Sequence, residues 1–308
     1  MYPKTIKSLL AIPLAVLLLL AAPTAVQAQF SYIINADNTV TITGLTAGSG
    51  GAVTIPATTN GLRVTSIAMN AFLNCHSLTS VTIANGVTSI GANAFEGCSL
   101  TNVAIPDTNL GDYAFEHSDL TSLTIPDSVT NIADFAFAVS DLTSLTIANG
   151  VTTIGEAAFA DNNLASVTIP GSVTNIREGA FANNSLTSVF FTGSAPIADS
   201  SVFSGNNNPT VYYLPGTTGW SSPFASRQAL LWNALIQTNA TNFGVQSNQF
   251  GFYITGTFYI PIVVEACTNL ANPVWIPIQT FTLTSGLAYF SEPLQTNNSG
   301  RYYRISSP

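Results

Sequence analysis

Two histidines, His76 and His117, and three cysteines, Cys75, Cys98 and Cys267, are the side chains of this 308-residue chain best suited to general-base, nucleophilic or soft-metal chemistry. A Ser-His-Asp site needs a base oriented by a second group and a nucleophile beside it, and the sequence places no such trio together. Asp112, Glu116, His117 and Asp119 form the densest acidic group, but their spacing is not that of a calcium loop. Solvated turns account for them and for both histidines, each of which follows shortly after a phenylalanine. Glycine-rich phosphate loops, zinc spacings and dinucleotide fingerprints are all missing from the sequence. Neither catalytic residues nor a metal or cofactor is therefore expected, and the chain does not read as an enzyme. Glu265 and Arg304 can pair, which on a surface is worth little.

Composition narrows the partners further. Hydrophobic residues make up 46% and charged residues only 7%, with 7 Lys plus Arg against 15 Asp plus Glu. Both lysines, Lys4 and Lys7, stand in front of an apolar run over 9–22 and the small-residue ending Val26-Gln27-Ala28. That is the three-part pattern of a cleavable secretory leader over 1–28, and the run is too short to span a bilayer. Loss of the two lysines with it moves the formal charge from −8 to −10. Nucleic acid is excluded as a partner because phosphate binding needs clustered cations. The mature chain is expected outside the cytoplasm, secreted or at the cell surface, as a monomer with no transmembrane segment.

These residues are positioned by an internal repeat. LTSVTIANGVTSIGANAFEGCS from Leu78, LTSLTIPDSVTNIADFAFAVSD from Leu120, LTSLTIANGVTTIGEAAFADNN from Leu142 and LASVTIPGSVTNIREGAFANNS from Leu164 are copies of one unit. Its phenylalanines, Phe72, Phe95, Phe115, Phe137, Phe159, Phe181 and Phe203, step by 23, 20, 22, 22, 22 and 22 residues, so seven rungs are visible. Cys75 and Cys98 follow their phenylalanines by three residues and occupy equivalent places in successive rungs. Two readings stay open there: stacked small buried residues, or an inter-rung disulfide. The first rung carries an insertion between Ile55 and Ile67, and the third is shortened between Ile105 and Leu110; both should fall in turns.

Within a unit, Leu78, Val81 and Ile83 alternate with Ser80 and Thr82, the pattern of a short strand with aliphatics inward. Ala-Asn-Gly or Pro-Asp-Ser supplies a corner, Val87 and Ile90 make a second inward pair, and residues 91–95 read as one helical turn that drops Ala94 and Phe95 into the core. About seven apolar side chains per rung, at roughly 1.5–3 kcal/mol each, cannot outweigh ordering the rung's backbone at ~1–2 kcal/mol per residue. A lone rung is therefore unstable, and only stacked rungs share a continuous core.

The unit L-T-S-[VL]-T-I-[PA]-x-[GS]-V-T-x-I-x-x-x-A-F resembles the BspA-like, or treponemal-type, leucine-rich repeat of secreted and surface bacterial proteins, over residues 53–203. The resemblance implies a right-handed, gently curved solenoid associated with adhesion or with binding proteins and glycans, and no shared catalytic residues. The expected fold is mainly β: a leucine-rich-repeat solenoid of about seven rungs followed by a small β-sandwich-like domain. Residues 29–52 read as an N-terminal β cap with strands around Asn35-Ala36-Asp37-Asn38. Residues 204–238 read as a C-terminal cap and linker, with Val211, Tyr213 and Trp220 covering the last rung. Residues 239–308 read as a small all-β module. VVEACTNLANPVW and GRYYRIS in the last segment resemble a C-terminal module of secreted bacterial repeat proteins, which implies display, sorting or attachment.

A binding or adhesion scaffold recognising a protein or glycan through the repeat surface follows as the functional expectation. A structural envelope component is the alternative. Thr82, Thr124, Thr146 and Thr168 should form an outward column, the arrangement an ice-binding face uses, although Ala104 and Phe190 interrupt it. Specificity is expected at the irregular positions: Asp112 and Tyr113 in the shortened rung, and the pair Phe190 and Phe191.

Overall fold

A computed structural model describes residues 30–46, 50–258, 260–294 and 300–306. The expected leader lies outside them. Every regular element among the described residues is a β-strand. Each rung contributes one strand of the LTS type, a two-residue strand ending on the second inward aliphatic, and a turn carrying Ala-Phe. Rungs pair in parallel and in register, Ser122–Ile125 with Ser144–Ile147 on one side and Thr153–Ile154 with Asn175–Ile176 on the next. Leu78, Val81, Ile83, Val87 and Ile90 are buried while Thr82 is exposed, as the alternation requires.

The third side of the coil departs from the sequence expectation. Residues 91–95 form a hydrogen-bonded turn that buries Ala94 and Phe95, as expected, but its backbone is not helical, because Asn93 is left-handed. The Phe95 N–H donates to Ala114 O of the next rung at 2.8 Å, as Phe115 does to Ala136 and Phe137 to Ala158. Turn N–H groups thus alternate between the next rung and the same turn, where Ala94 donates to Gly91 O at 3.3 Å and Glu96 to Asn93 O at 3.4 Å. The backbone reaches them through left-handed residues two before the phenylalanine (Asn93, Tyr113, Phe135) and two after it (Gly97, His117, Asn183). Gly and Asn tolerate this conformation best. Inside, the seven phenylalanines form one stack, with neighbouring centroids 4.8–6.1 Å apart and planes within 22°.

A second column runs beside that stack, three residues after each phenylalanine: Cys75, Cys98, Ser118, Ser140, Asn162, Asn184 and Asn206. Asn162 Oδ1 accepts the Leu142 N–H at 3.0 Å, and its Nδ2 donates to the carbonyls of Phe137 and Phe159. Asn184 and Asn206 repeat this pattern. Buried peptide groups that the turn leaves unpaired are satisfied in this way. Cys98 does a weaker version, its Sγ donating to Phe72 O at 3.1 Å. Both cysteines are free thiols in this structure, Cys98 buried and Cys75 half-buried.

The solenoid has about nine turns, more than the seven that the phenylalanines mark. Stacking continues past the periodic signal at both ends. Val40–Leu45 pairs antiparallel with Phe30–Ile34 and parallel with Leu62–Ile67, and Phe30 closes the ring stack edge-on against Phe72. The first-rung insertion folds out as a small hairpin, Thr58–Thr59 against Leu62–Ile67. Behind Phe203, Thr210–Tyr213 and Ala229–Leu231 extend the sheet of Ser188–Phe191. There Val211 is fully buried and Tyr213 stacks on Trp220, which packs against Phe191 and Phe224. Arg227 takes over from the asparagine column, donating to Phe203 O at 2.7 Å.

Downstream, two sheets of four and three strands surround a second core of Phe252, Ile254, Ile262, Val264 and Phe290. Glu265 and Arg304 are cross-strand neighbours joined at 2.5 Å, the pairing the sequence suggested.

Candidate functional site

The shortened rung places Asp112 and Tyr113 at the start of the Ala-Phe turn, where the left-handed backbone of Tyr113 turns its ring out of the core. Tyr113 stacks flat on Phe135 of the next rung, 4.8 Å between centroids and 5° between planes. Phe135 was not singled out from sequence; lining up the copies two residues before the core phenylalanine would have revealed the aromatic pair. Both rings are half-buried. Beside them runs a ridge of carboxylates one residue earlier in each rung, Asp112, Asp134, Glu156 and Glu178.

Hydrogen bonds order this ridge. Asp112 Oδ1 accepts the Asp134 N–H at 3.2 Å, and Asp134 Oδ1 accepts the Glu156 N–H at 2.8 Å. Arg177 Nη1 reaches both oxygens of Asp134, at 2.6 and 2.8 Å, with Glu156 3.9 Å away. Burial pushes the Tyr113 phenol above its ordinary range, and the carboxylates of Glu116, Asp112, Glu156 and Asp134 add to that. Glu116 is also raised, mainly by burial, with His117 at 3.7 Å opposing the shift.

Along the next edge of the coil lies a polar groove of about 470 Å³, lined among others by His117, Asp119, Asp141, Asp161 and Asn183. A second cleft of about 400 Å³ shares His117 and Asp119 with it and adds His76 and Glu96. His76 and His117 are exposed turn residues. Among the described residues no group of three or more His, Cys, Asp or Glu side chains is arranged to hold a metal ion.

Thr82, Thr124, Thr146 and Thr168 are exposed on the opposite sheet, as expected of outward strand positions. Their column is broken at Ala104, which pairs with Thr82. It ends where Thr168 meets Phe190, followed in register by Tyr212 and Leu230. Here the sequence reading is corrected. Phe190 is only 3% exposed and belongs to the second core with Tyr212, Trp232, Phe252 and Phe290. Strand parity does point its ring away from the solenoid interior, but the C-terminal sheets cover that face, and Trp232 Nε1 donates across to Pro261 O at 2.9 Å. Phe191 is buried on the inner side. Neither aromatic is available to a ligand, whereas Asp112 and Tyr113 are.

A family model described as the BspA type leucine rich repeat region matches in six copies, at residues 53–110, 65–187 and 108–218. No curated protein matches the chain. Among solved structures, a leucine rich cell surface protein from Faecalibacterium prausnitzii is 26% identical, with 61% of this chain and 69% of that one covered and a TM-score of 0.44. The pneumococcal vaccine antigen PcpA is 21% identical over 62% of this chain and 64% of its own, with a TM-score of 0.47. A leucine rich repeat protein of T. pallidum is 24% identical over 61% and 84%, with a TM-score of 0.38.

Proposed function

Because the chain belongs to the BspA-type leucine-rich repeat family, we propose that it is an exported binding or adhesion scaffold whose repeat surface takes a macromolecular ligand, a protein or a glycan. The observation that carries this reading is the Tyr113–Phe135 pair beside the carboxylate ridge, at the one rung whose length departs downward from the repeat. Regular rungs present interchangeable Thr, Ser and Asn groups, which make many weak and partly water-mediated hydrogen bonds. A stacked aromatic pair edged by carboxylates adds what that lawn lacks: apolar area with a fixed orientation, and charge. Export rests on the three-part pattern over 1–28, and no helix among the described residues is long and apolar enough to cross a membrane.

An array of matrix proteins and glycans probed with the full chain tests the proposal. Retention should fall with Tyr113→Ala and with Asp112→Ala and should survive Thr146→Ala. Retention indifferent to all three would place recognition elsewhere. Mass spectrometry of the mature protein in its native host should find a start at Gln29, and an intact Met1 would refute export by this route.

A further inference from the structure

The C-terminal module holds a cleft of about 420 Å³ that the repeat-surface reading does not use. Its walls are Phe243, Phe250, Leu270, Trp275 and Tyr302, with Arg301 at the edge. Both sheets contribute: Phe250 stands on Gln249–Gly256, Tyr302 opens Tyr302–Ser306, and Trp275 immediately precedes Ile276–Thr282. Three of its four wall rings are packed against neighbours. Phe250 stacks on Tyr303 at 4.8 Å, Phe243 stands edge-on to Phe250 at 5.9 Å, and the Arg304 guanidinium, tied to Glu265, packs 4.6 Å from the Trp275 centroid. Phe243, Leu270 and Tyr302 are nonetheless exposed, an unusual cluster of apolar surface for a module with a complete core.

The polar groups in the cleft are balanced. Glu292, itself buried, accepts from Arg301 Nη2 at 3.0 Å, pairs with its Nε, and accepts the Tyr303 hydroxyl at 2.5 Å. Burial, reinforced by Glu292, pushes the Tyr303 phenol up to about 12, so it stays protonated. A guanidinium carries five N–H groups, so Arg301 keeps donors beyond those Glu292 occupies. The cleft therefore combines aromatic walls, spare donors and no net charge, at a size typical of small-ligand sites, about 300–1,000 Å³.

From this we infer that the cleft is a binding site for a neutral sugar ring, a terminal or edge unit of an uncharged glycan. A pyranose offers a C–H face to aromatic walls and a rim of hydroxyls to Arg301, Thr238 and the Tyr302 phenol. An aliphatic side chain or acyl chain would cover the Arg301 donors without supplying an acceptor, which is costly. An anionic sugar would meet a guanidinium already neutralised, with the Glu292 carboxylate behind it.

Saturation-transfer NMR and calorimetry on the full chain test this, with cellohexaose, laminarihexaose, maltohexaose and mannohexaose as neutral probes, sialyllactose as an anionic sugar and octanoate as an anion with an apolar chain. At least one neutral oligosaccharide should bind. Trp275→Ala and Tyr302→Ala should each weaken it by about tenfold or more, the scale of losing one aromatic contact. Tyr302 is exposed, so its variant keeps the test valid if Trp275→Ala disturbs the fold. Tyr113→Ala should change nothing. No binding of any neutral probe, preference for octanoate or sialyllactose, or binding unaffected by both cleft variants would overturn the inference. Binding lost with Tyr113→Ala instead would also overturn it, while supporting the repeat-surface proposal.

Discussion

Phe190 stacks on Tyr212 with 5.1 Å between ring centroids and 16° between planes, on the outer face of the sheet that displays Thr168 one rung earlier, at the position that Thr146 and Thr124 hold in the preceding two-stranded sheet. The switch from threonine to aromatic side chains at equivalent positions turns a hydrated face into a docking face. It joins the solenoid to the C-terminal sheets through one core, shared with Trp232, Phe252 and Phe290.

Phe190→Ala should accordingly behave as a core truncation and cost about 3–5 kcal/mol, whereas Thr146→Ala in the same column should cost under about 1. Denaturant melts monitored together with limited proteolysis should show the C-terminal module becoming susceptible first. Equal, small losses at both positions would mean that the module does not rest on this face.

Much of this was legible in the sequence, and the gaps have physical reasons. Phe137, Ile90 and Val87 were assigned inward from spacing alone, because a 22-residue period fixes which side chains share a core. Phe190 was misread since alternation reports only which side of a strand a residue faces, not what lies over that side, and its cover comes from residues far along the chain. Asn162 and Asn184 were not singled out from sequence. Their burial follows from peptide groups that the left-handed turn leaves facing inward, which no local pattern displays. Phe135 was hidden for a related reason: an extra aromatic two residues before the core phenylalanine looks like more core until the backbone is known to invert there.

The polar column invites a stability test. Asn184→Ala removes the acceptor of the Leu164 N–H and the donor to Phe159 O, leaving buried groups unpaired at about 1–3 kcal/mol each. Conversely, Ser140 is buried in the same column and its hydroxyl has no partner. Ser140→Asn would reach the Leu120 N–H and the Phe115 carbonyl by the geometry of Asn162, and should raise stability by about 1 kcal/mol. Thermal unfolding should show a higher midpoint for this variant; a lower one would show that the rung lacks room for the amide.

Burial pushes the Cys98 thiol up to about 12 from an ordinary value of 9.0, with the Cys75 backbone N–H partly opposing the shift. Since the folded state favours the neutral thiol, its stabilising effect is complete below about pH 9 and fades as pH rises toward 12. At pH 8 the thiolate, which is the nucleophile, amounts to roughly one part in ten thousand. Iodoacetamide at that pH should label half-buried Cys75 in the native protein and Cys98 only in denaturant, as peptide mass spectrometry would reveal. A mass lower by two hydrogens, with neither thiol labelled, would instead establish the disulfide.

Deleting residues 142–163 separates recognition by the irregular rung from recognition by bulk repeat surface. The deletion removes one complete period, so Phe181 takes the place of Phe159 on Phe137, Asn184 that of Asn162, and Glu178 that of Glu156 next to Asp134. The order of the inter-rung partners and of the carboxylate ridge is thereby kept with one copy fewer, while Ser172 and Arg177 replace Gly150 and Gly155 against Asp127 and Ala133, where the turn must shift to admit a side chain. If affinity resides in Asp112, Tyr113 and Phe135, the shortened chain should bind its ligand within about threefold of the full chain, since only avidity from the interchangeable rungs is lost. Tyr113→Ala should cost about 2 kcal/mol, close to thirtyfold, as loss of a central aromatic anchor does. Surface plasmon resonance on the ligand retained by the array measures both. A large loss on rung deletion with little effect at Tyr113 would reverse the assignment and make the threonine, serine and asparagine face the recognition surface.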